Sequence, residues 1–204
     1  MASFMDSIAN AGRIRHQAVI RLGILGSTQC HHPQTAEFCR HLGLHLRRFD
    51  LTLVTGGLTG APRIVADVFD AADQTCNRVI HLLPYFTMKP RRGATIRCGW
   101  TMGERRRVLA DYCQVYISIE GGPNTAHEVA LIQRRGATVL PVGRFGGCSD
   151  QLYWQMKCPV WAERSLWEQL MDNRDDVRDT AAAAAKLTEL ALDSIRARVR
   201  EWLG

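Results

Sequence analysis

The chain has 204 residues, of which 46% are hydrophobic and 23% charged, and its net charge is +6 at pH 7. This length is enough for one well-buried core and short for two, so we expect a single domain over residues 1–204. No stretch stays apolar over the ~20 residues that cross a bilayer, so a membrane partner is not expected.

The seven cysteines and the arginines narrow the class of protein further. The cysteines form no C-x-x-C pair and no zinc-ligand spacing, so we expect reduced thiols in a cytoplasmic protein, and no metal site. The arginines are spread along the chain, and the clusters at residues 91–92 and 105–107 fall on predicted site loops. Two such clusters favour phosphate ligands over a DNA-binding face.

The first predicted strand covers residues 19–26 and ends in the turn Gly26-Ser27-Thr28. Residues 1–17, which precede it, are expected to form a loose arm or a short helix. In doubly wound folds a first strand that ends in such a turn commonly contacts a phosphate or a ribose. The turn has a purely structural interpretation as well, in which Ser27 or Thr28 only caps it.

The second predicted strand, residues 51–55, follows an approximately amphipathic helix over residues 33–49. It also ends in a glycine-rich turn, and Pro62 suits the first position of the helix that comes next, residues 63–72. The turn holds three glycines in five residues, Gly56, Gly57 and Gly60.

The third predicted strand, residues 78–83, leads into a long segment, residues 84–100, that shows no clear periodicity. Basic residues run through it from Lys89 to Arg97. A basic loop at the carboxyl end of a parallel strand is suited to cover an anionic ligand, and it is equally compatible with a solvated surface loop.

The remaining elements complete a repeating pattern of strands and helices. Thr101 and Glu104 match a capping box, which predicts a helix that carries Arg105 in its first turn. A strand over residues 114–119, a helix to Arg135 and a fifth strand over residues 137–142 follow. Such alternation predicts an α/β fold with a doubly wound, mainly parallel, Rossmann-like sheet. We expect its core to cover residues 19–142.

The turn between the fourth strand and its helix is the centre of the predicted site. Residues 119–130 read IEGGPNTAHEVA, so two glycines separate a buried strand from a helix that begins near Pro123. The N-terminus of such a helix offers free N–H groups to an anion, and Glu128 falls close to it. In a purely structural interpretation Thr125 and Glu128 form a capping box, and residues 105–107 form an exposed helix face. Helices over residues 150–204 are expected to extend the core, and Ser165 and Glu168 match a capping box that predicts the start of one of them.

Two motifs together resemble the lonely guy, or lysine-decarboxylase-like, superfamily. Residues 102–106 read MGERR, where that family has M-x-x-R-K, and residues 121–128 read GGPNTAHE, similar to G-G-x-G-T-x-x-E. The resemblance covers residues 19–142. It implies a SLOG-type, Rossmann-like nucleotide-binding protein that forms a homodimer. Members with the full motif hydrolyse nucleoside 5′-monophosphates to free base and ribose 5-phosphate, without a cofactor.

The resemblance also assigns roles to individual residues. Glu128 would be the catalytic carboxylate, and Arg105 the arginine beside it. Backbone N–H groups at residues 122–125 would hold the 5′-phosphate. The residues expected to bind the nucleotide are Gly26, Ser27, Thr28, Gly56, Gly57, Gly60, Met102, Arg106, Gly121, Gly122, Asn124 and Thr125.

Two departures from the family pattern keep alternatives open. Glu120 stands where the family has proline, and a carboxylate that pointed into the phosphate site would repel the ligand. Asn124 replaces a glycine, and we expect it to preserve the turn by adopting the left-handed backbone. The first alternative is a non-catalytic sensor of a nucleotide or an ADP-ribose-like ligand. The second, less favoured, is a nucleic-acid-binding protein that uses the basic segment from Lys89 to Arg97.

Overall fold

The computed structural model describes residues 20–71, 78–90 and 92–203, so the arm expected at residues 1–17 lies outside the described residues. The described chain forms one six-stranded sheet with the strand order β4-β3-β2-β1-β5-β6, and every neighbouring pair is parallel. The strands are β1 Arg21–Gly26, β2 Thr52–Thr55, β3 Val79–Leu83, β4 Ala94–Arg97, β5 Val115–Ile119 and β6 Thr138–Val142.

Helices cover both faces of this sheet, which confirms the doubly wound α/β prediction. They are α1 Thr35–Leu46, α2 Ala61–Asp70, α3 Met102–Tyr112, α4 Pro123–Arg134, α5 Gly147–Gln155, α6 Arg164–Gln169 and α7 Val177–Leu203. Successive strand residues point to opposite faces, so β1 contributes to two cores. Leu22 and Ile24 pack with α1, α2 and α7, whereas Leu25 packs with α3 and α4.

The strand order places a topological switch between β1 and β5. The chain proceeds outward from β1 to β4 on one side and returns to β5 and β6 on the other. In open parallel sheets, ligands bind at such a switch, beside the carboxyl ends of the strands. The turns after β1, β2 and β5 therefore open onto the same edge.

The prediction of an irregular segment over residues 84–100 is wrong for Ala94–Arg97, which forms the edge strand β4 beside β3. Arg97 stabilises the short crossover before this strand, because its Nη1 donates to the carbonyl oxygens of Pro84 and Thr87, at 2.6 Å each. β4 has four residues and no buried member, so it lacks the apolar alternation by which strands are recognised.

Two predicted helix starts have opposite outcomes. Thr101 and Glu104 form the predicted capping box at α3, with bonds between each side chain and the backbone of the other residue. The capping box that residues 165–168 suggest is absent: α6 begins at Arg164, and the Ser165 hydroxyl donates to the Glu163 carboxylate at 2.6 Å. The ends of helices α1 and α2 also differ by two or three residues from the predicted bounds.

Across the described part of the chain, no helix is both long enough and apolar enough to span a membrane.

Candidate functional site

A cavity lies at the carboxyl edge of the sheet, between the ends of β1 and β2 and the first turns of α3 and α4. The cavity is lined by nine of the fourteen predicted site residues: Gly26, Thr28, Gly56, Met102, Arg105, Arg106, Asn124, Thr125 and Glu128. Five residues that the sequence analysis did not single out also line it, Ile24, Leu25, Leu58, Thr59 and Pro62. The sequence indicates these five residues only through their position, because all five adjoin the glycine turns at the ends of β1 and β2.

Glu128 and Arg105 form a buried ion pair at the base of this cavity. Arg105 is 4% exposed and Glu128 8%, and Arg105 Nη1 donates to Glu128 Oε1. Arg105 is fixed further because its Nε donates to the carbonyl oxygen of Leu82 at 3.3 Å. Oε2 of Glu128 accepts no hydrogen bond from the described residues. Charge compensation by Arg105 makes the burial of this carboxylate possible.

The capping-box interpretation of Thr125 and Glu128 is wrong, and the exposed-face interpretation holds only for Arg107. The N-cap of α4 is Gly122, so Thr125 and Glu128 do not form its capping box. The exposed-face interpretation fails for Arg105, which is buried, and applies to Arg107, which is exposed and does not line the cavity.

Arg106 presents a second positive charge to the cavity. Its Nη2 donates to Asn124 Oδ1 at 2.7 Å, and its Nε lies 4.0 Å from Glu128 Oε1. That Nε atom is buried and has no hydrogen-bond partner. A buried donor without an acceptor lowers the stability of the fold. The Nε–H group of Arg106 is therefore available to an anion.

The prediction that Asn124 adopts a left-handed backbone is wrong. Pro123 begins α4, so Asn124 has helical backbone, and its side chain holds Arg106 instead. The left-handed residues of this turn come earlier, at Glu120 with φ 53° and Gly121 with φ 92°. The turn therefore changes direction two residues before the helix starts.

The Glu120 carboxylate does not point into the proposed phosphate site, where it would repel the ligand. It points to the loop after β1. It accepts hydrogen bonds from the backbone N–H groups of His31 and His32 at 2.9–3.1 Å, and from the Thr35 hydroxyl. Because these donors hold the Glu120 carboxylate, it does not compete with an anion at the N-terminus of α4.

The other five predicted residues do not line the cavity: they are Ser27, Gly57, Gly60, Gly121 and Gly122. Gly60 has φ 81°, and a side chain there would overlap the Ser27 carbonyl, so glycine lets the turns after β1 and β2 meet. Gly57 packs against Leu83 and His81, and Gly121 and Gly122 precede α4.

A buried histidine supports the turn after β2. His81 Nε2 lies 3.0 Å from the carbonyl oxygen of Arg92, so Nε2 carries the proton and Nδ1 accepts from the Thr55 hydroxyl at 2.8 Å. The Thr55 oxygen in turn accepts from the N–H of Gly57 at 2.9 Å. Burial lowers the pKa of His81, while the bond to Arg92 opposes this effect. The lowered pKa favours the neutral ring in this network.

Among residues 20–71, 78–90 and 92–203, no group of three histidine, cysteine, aspartate or glutamate side chains is arranged to hold a metal ion.

The parallel sheet and the cavity at its switch point define a Rossmann-like α/β protein. The family model described as the SLOG cluster4 family matches residues 19–168, which is most of the chain. The chain therefore belongs to the SLOG cluster4 family. This membership confirms the SLOG-type resemblance and supports its nucleotide-binding part, without testing the hydrolysis.

Solved structures share this fold at low sequence identity. TM1055, a structural genomics target, is 21% identical with a TM-score of 0.61, and the match covers 69% of this chain and 83% of that one. The molybdenum cofactor carrier protein of Chlamydomonas reinhardtii is 21% identical with a TM-score of 0.54, covering 84% and 97%. DNA processing protein A of Helicobacter pylori is 13% identical with a TM-score of 0.50, covering 82% and 80%. No curated protein matches the chain. At these identities the likeness shows the fold alone.

Proposed function

We propose that the cavity binds a nucleoside 5′-monophosphate and that Glu128 carries the hydrolysis of its N-glycosidic bond. The observation behind this proposal is the buried Glu128, which opens into the cavity beside two arginines, Arg105 and Arg106. The roles that the family resemblance implies for Glu128 and Arg105 agree with this arrangement.

The 5′-phosphate fits the N-terminus of α4. The N–H groups of Asn124 and Thr125 belong to the first helical turn and have no intrahelical acceptor, so they are available to an anion. Arg106 adds a charge and the unpartnered Nε. The cavity encloses about 70 Å³, so it holds the reacting part of the ligand while the rest extends into the open mouth. Gly26, Thr28 and Gly56 also line the cavity.

Hydrolysis breaks the bond between C1′ of the ribose and the base nitrogen. Water supplies the oxygen that bonds to C1′ and the proton that the departing base takes up. Positive charge develops on the ribose in the transition state, and a carboxylate such as Glu128 stabilises this charge while it accepts a proton from the attacking water. In this scheme Arg105 positions Glu128, and Oε2 is the oxygen that acts.

A sensor without turnover is the second candidate, and one observation favours it. Arg105 binds the Glu128 carboxylate directly, which lowers the charge that Glu128 can offer to the transition state. The fold is also shared with a protein named as a molybdenum cofactor carrier. The nucleic-acid alternative has weaker support, because Arg97 of the basic segment is bound to backbone carbonyls and Arg92 to the buried Asp70.

A cytoplasmic homodimer is part of the proposal. The reducing compartment is proposed from the cysteine spacing of the sequence, and the six cysteines in the described part of the chain are free thiols. Large exposed apolar side chains lie in the two segments that flank β4, at Tyr85, Phe86, Met88 and Trp100, and the Tyr85 and Trp100 rings stack with centroids 4.8 Å apart. Such a patch is typical of a protein contact, and its continuity with the start of α3 suits a second copy of the chain.

The hydrolysis is tested by incubating the protein with nucleoside mono- and diphosphates, deoxynucleotides and ADP-ribose, followed by chromatography of the products. We expect the wild type to release free base from a monophosphate, and Glu128→Gln to be slower by roughly 10²- to 10⁴-fold. Glu37→Gln, on the exposed face of α1, is the matched control and should retain full activity. If no base is released while one compound raises the Tm of wild type and Glu128→Gln alike, the sensor is the correct function.

A further inference from the structure

Glu120 has an unusual backbone for its residue type. It is the one non-glycine residue among the described residues with a positive φ, at 53°, and it is only 2% exposed. The left-handed region is unfavourable for a glutamate and persists where the surroundings hold the residue firmly. This position directly follows β5, at the switch point of the sheet.

Contacts on both ends of the residue account for this backbone. Oε1 accepts from the N–H groups of His31 at 3.1 Å and His32 at 2.9 Å and from the Thr35 hydroxyl, while Oε2 accepts from the His31 N–H at 3.1 Å. The backbone carbonyl accepts from the N–H of Ser149 at 2.9 Å and from its hydroxyl at 2.8 Å. Glu120 therefore ties the loop after β1 to the segment after β6.

The donors around the carboxylate are those of a phosphate site. Two consecutive backbone N–H groups and a hydroxyl converge just before and at the start of the twelve-residue helix α1, beside the carboxyl end of β1. In parallel α/β sheets this arrangement binds the phosphate of a nucleotide. Here a carboxylate of the same chain already satisfies all three donors.

We propose that Glu120 is a built-in anion that fills the phosphate-type site at the start of α1. The anion of the ligand is then confined to the N-terminus of α4 beside Arg106. The protein consequently selects ligands with one phosphate group there and excludes those whose second phosphate must bind at α1. The selection of a monophosphate rests on the proposed function, whereas the filling of the α1 site does not.

The first test removes the carboxylate by Glu120→Gly, since glycine tolerates the left-handed backbone. Inorganic phosphate is titrated calorimetrically into the full chain. We expect the variant to bind one more phosphate than the wild type, and Thr35→Val added to Glu120→Gly to weaken this extra site about tenfold. Glu120→Gln is the matched control, because its side chain still fills the space and should admit no extra phosphate.

The outcomes separate the two proposals. An unchanged phosphate stoichiometry in Glu120→Gly overturns the built-in anion, whatever the wild type binds. An extra phosphate in the variant combined with none in the wild type supports the built-in anion and counts against the proposed phosphate site at α4.

Stability supplies a second test that does not require the glycine variant to fold. In glutamine the charge is lost and an NH₂ group replaces the Oε2 atom that accepts from the His31 N–H, so we expect Glu120→Gln to lower the Tm by several degrees. A Tm equal to that of the wild type contradicts the proposal. If Glu120→Gly folds only when phosphate is present, phosphate is replacing the carboxylate, which supports the proposal; if it does not fold even then, the proposal fails.

Discussion

Arg105 lies beside Glu128 because position 56 has no side chain. A Cβ atom on Gly56 would overlap the Arg105 guanidinium at Nη2. The backbone of Gly56 does not have a positive φ, so this glycine is required by packing and not by turn geometry. The turn after β2 thus determines where the central ion pair of the cavity can sit.

We expect Gly56→Ala to displace Arg105 and to damage the site. Overpacking of this kind costs roughly 1–3 kcal/mol of unfolding free energy, measured by urea denaturation. Ligand affinity and any turnover should fall with it, because Glu128 loses the partner that positions it.

Gly103→Ala is the matched control for this substitution. Gly103 is exposed in α3, where an added Cβ would lie 3.8 Å from Thr101 Oγ1 and meet nothing closer. Alanine in a helix should raise the stability by roughly 0.5–1 kcal/mol. Equal effects of the two alanines would show that the space around Arg105 is not limiting.

The sequence identified the site residues that belong to motifs and missed the roles that depend on three-dimensional neighbours. Glu128 and Arg105 were singled out through their two motifs, and the structure places them in contact. The roles of Glu120 and Asn124 were misjudged. The partner of Glu120 is a loop about 90 residues away in the chain, and the backbone of Asn124 is set by where the helix starts. Neither fact is local in sequence.

Hydrogen bonds through His81 connect three elements beside the cavity. β3 carries His81, which bonds to Thr55 at the end of β2 and to the carbonyl of Arg92 before β4. Arg63, Asp67 and Asp70 on α2 are the charged groups that act on it. Arg63 lowers its pKa and the two aspartates raise it, and burial outweighs both.

We expect stability to decrease in acid through His81. Its folded pKa lies below the unfolded value near 6.5, so the unfolded chain binds a proton first as the pH falls. The stabilisation is complete above about pH 6.5 and is lost as the pH falls from there through the folded pKa. The free energy of unfolding is measured in urea at about pH 7.5 and about pH 5.5. The difference between the two values should be smaller for His81→Gln than for the wild type.

His127→Gln is the control for this measurement, because His127 is exposed on α4. Its pH dependence should match that of the wild type. A His81→Gln variant that is as sensitive to acid as the wild type would contradict the contribution of His81 to this acid sensitivity.

At the level of elements, the buried strands were predictable and the edge strand was not. β1 and β5 are apolar throughout or nearly so, which is typical of the centre of a parallel sheet. β4 is held by pairing with β3 and by Arg97, and both are tertiary contacts. The capping boxes show the same limit: Thr101 caps α3, whereas Ser165 bonds to Glu163 instead.

On the scale of the whole molecule, we expect a dimer that uses the apolar patch of Tyr85, Phe86, Met88 and Trp100. Sedimentation velocity should find the wild type dimeric and Trp100→Ser shifted toward monomer. Trp202→Ser is the control, because Trp202 is 85% exposed near the end of α7 and Trp100 is 70% exposed. A monomeric wild type, or a dimer that Trp100→Ser leaves intact, contradicts this assignment.

We propose that the cavity beside α4 binds the phosphate of a nucleotide, and a comparison of two neighbouring arginines of α3 tests this. Nucleoside 5′-monophosphates are titrated into wild type, Arg106→Ala and Arg107→Ala at one salt concentration. Both variants remove one positive charge, but only Arg106 lines the cavity. We predict that Arg106→Ala weakens binding by roughly 10- to 100-fold and that Arg107→Ala leaves it within about twofold. Equal losses in the two variants, or no binding by the wild type, would contradict the claim.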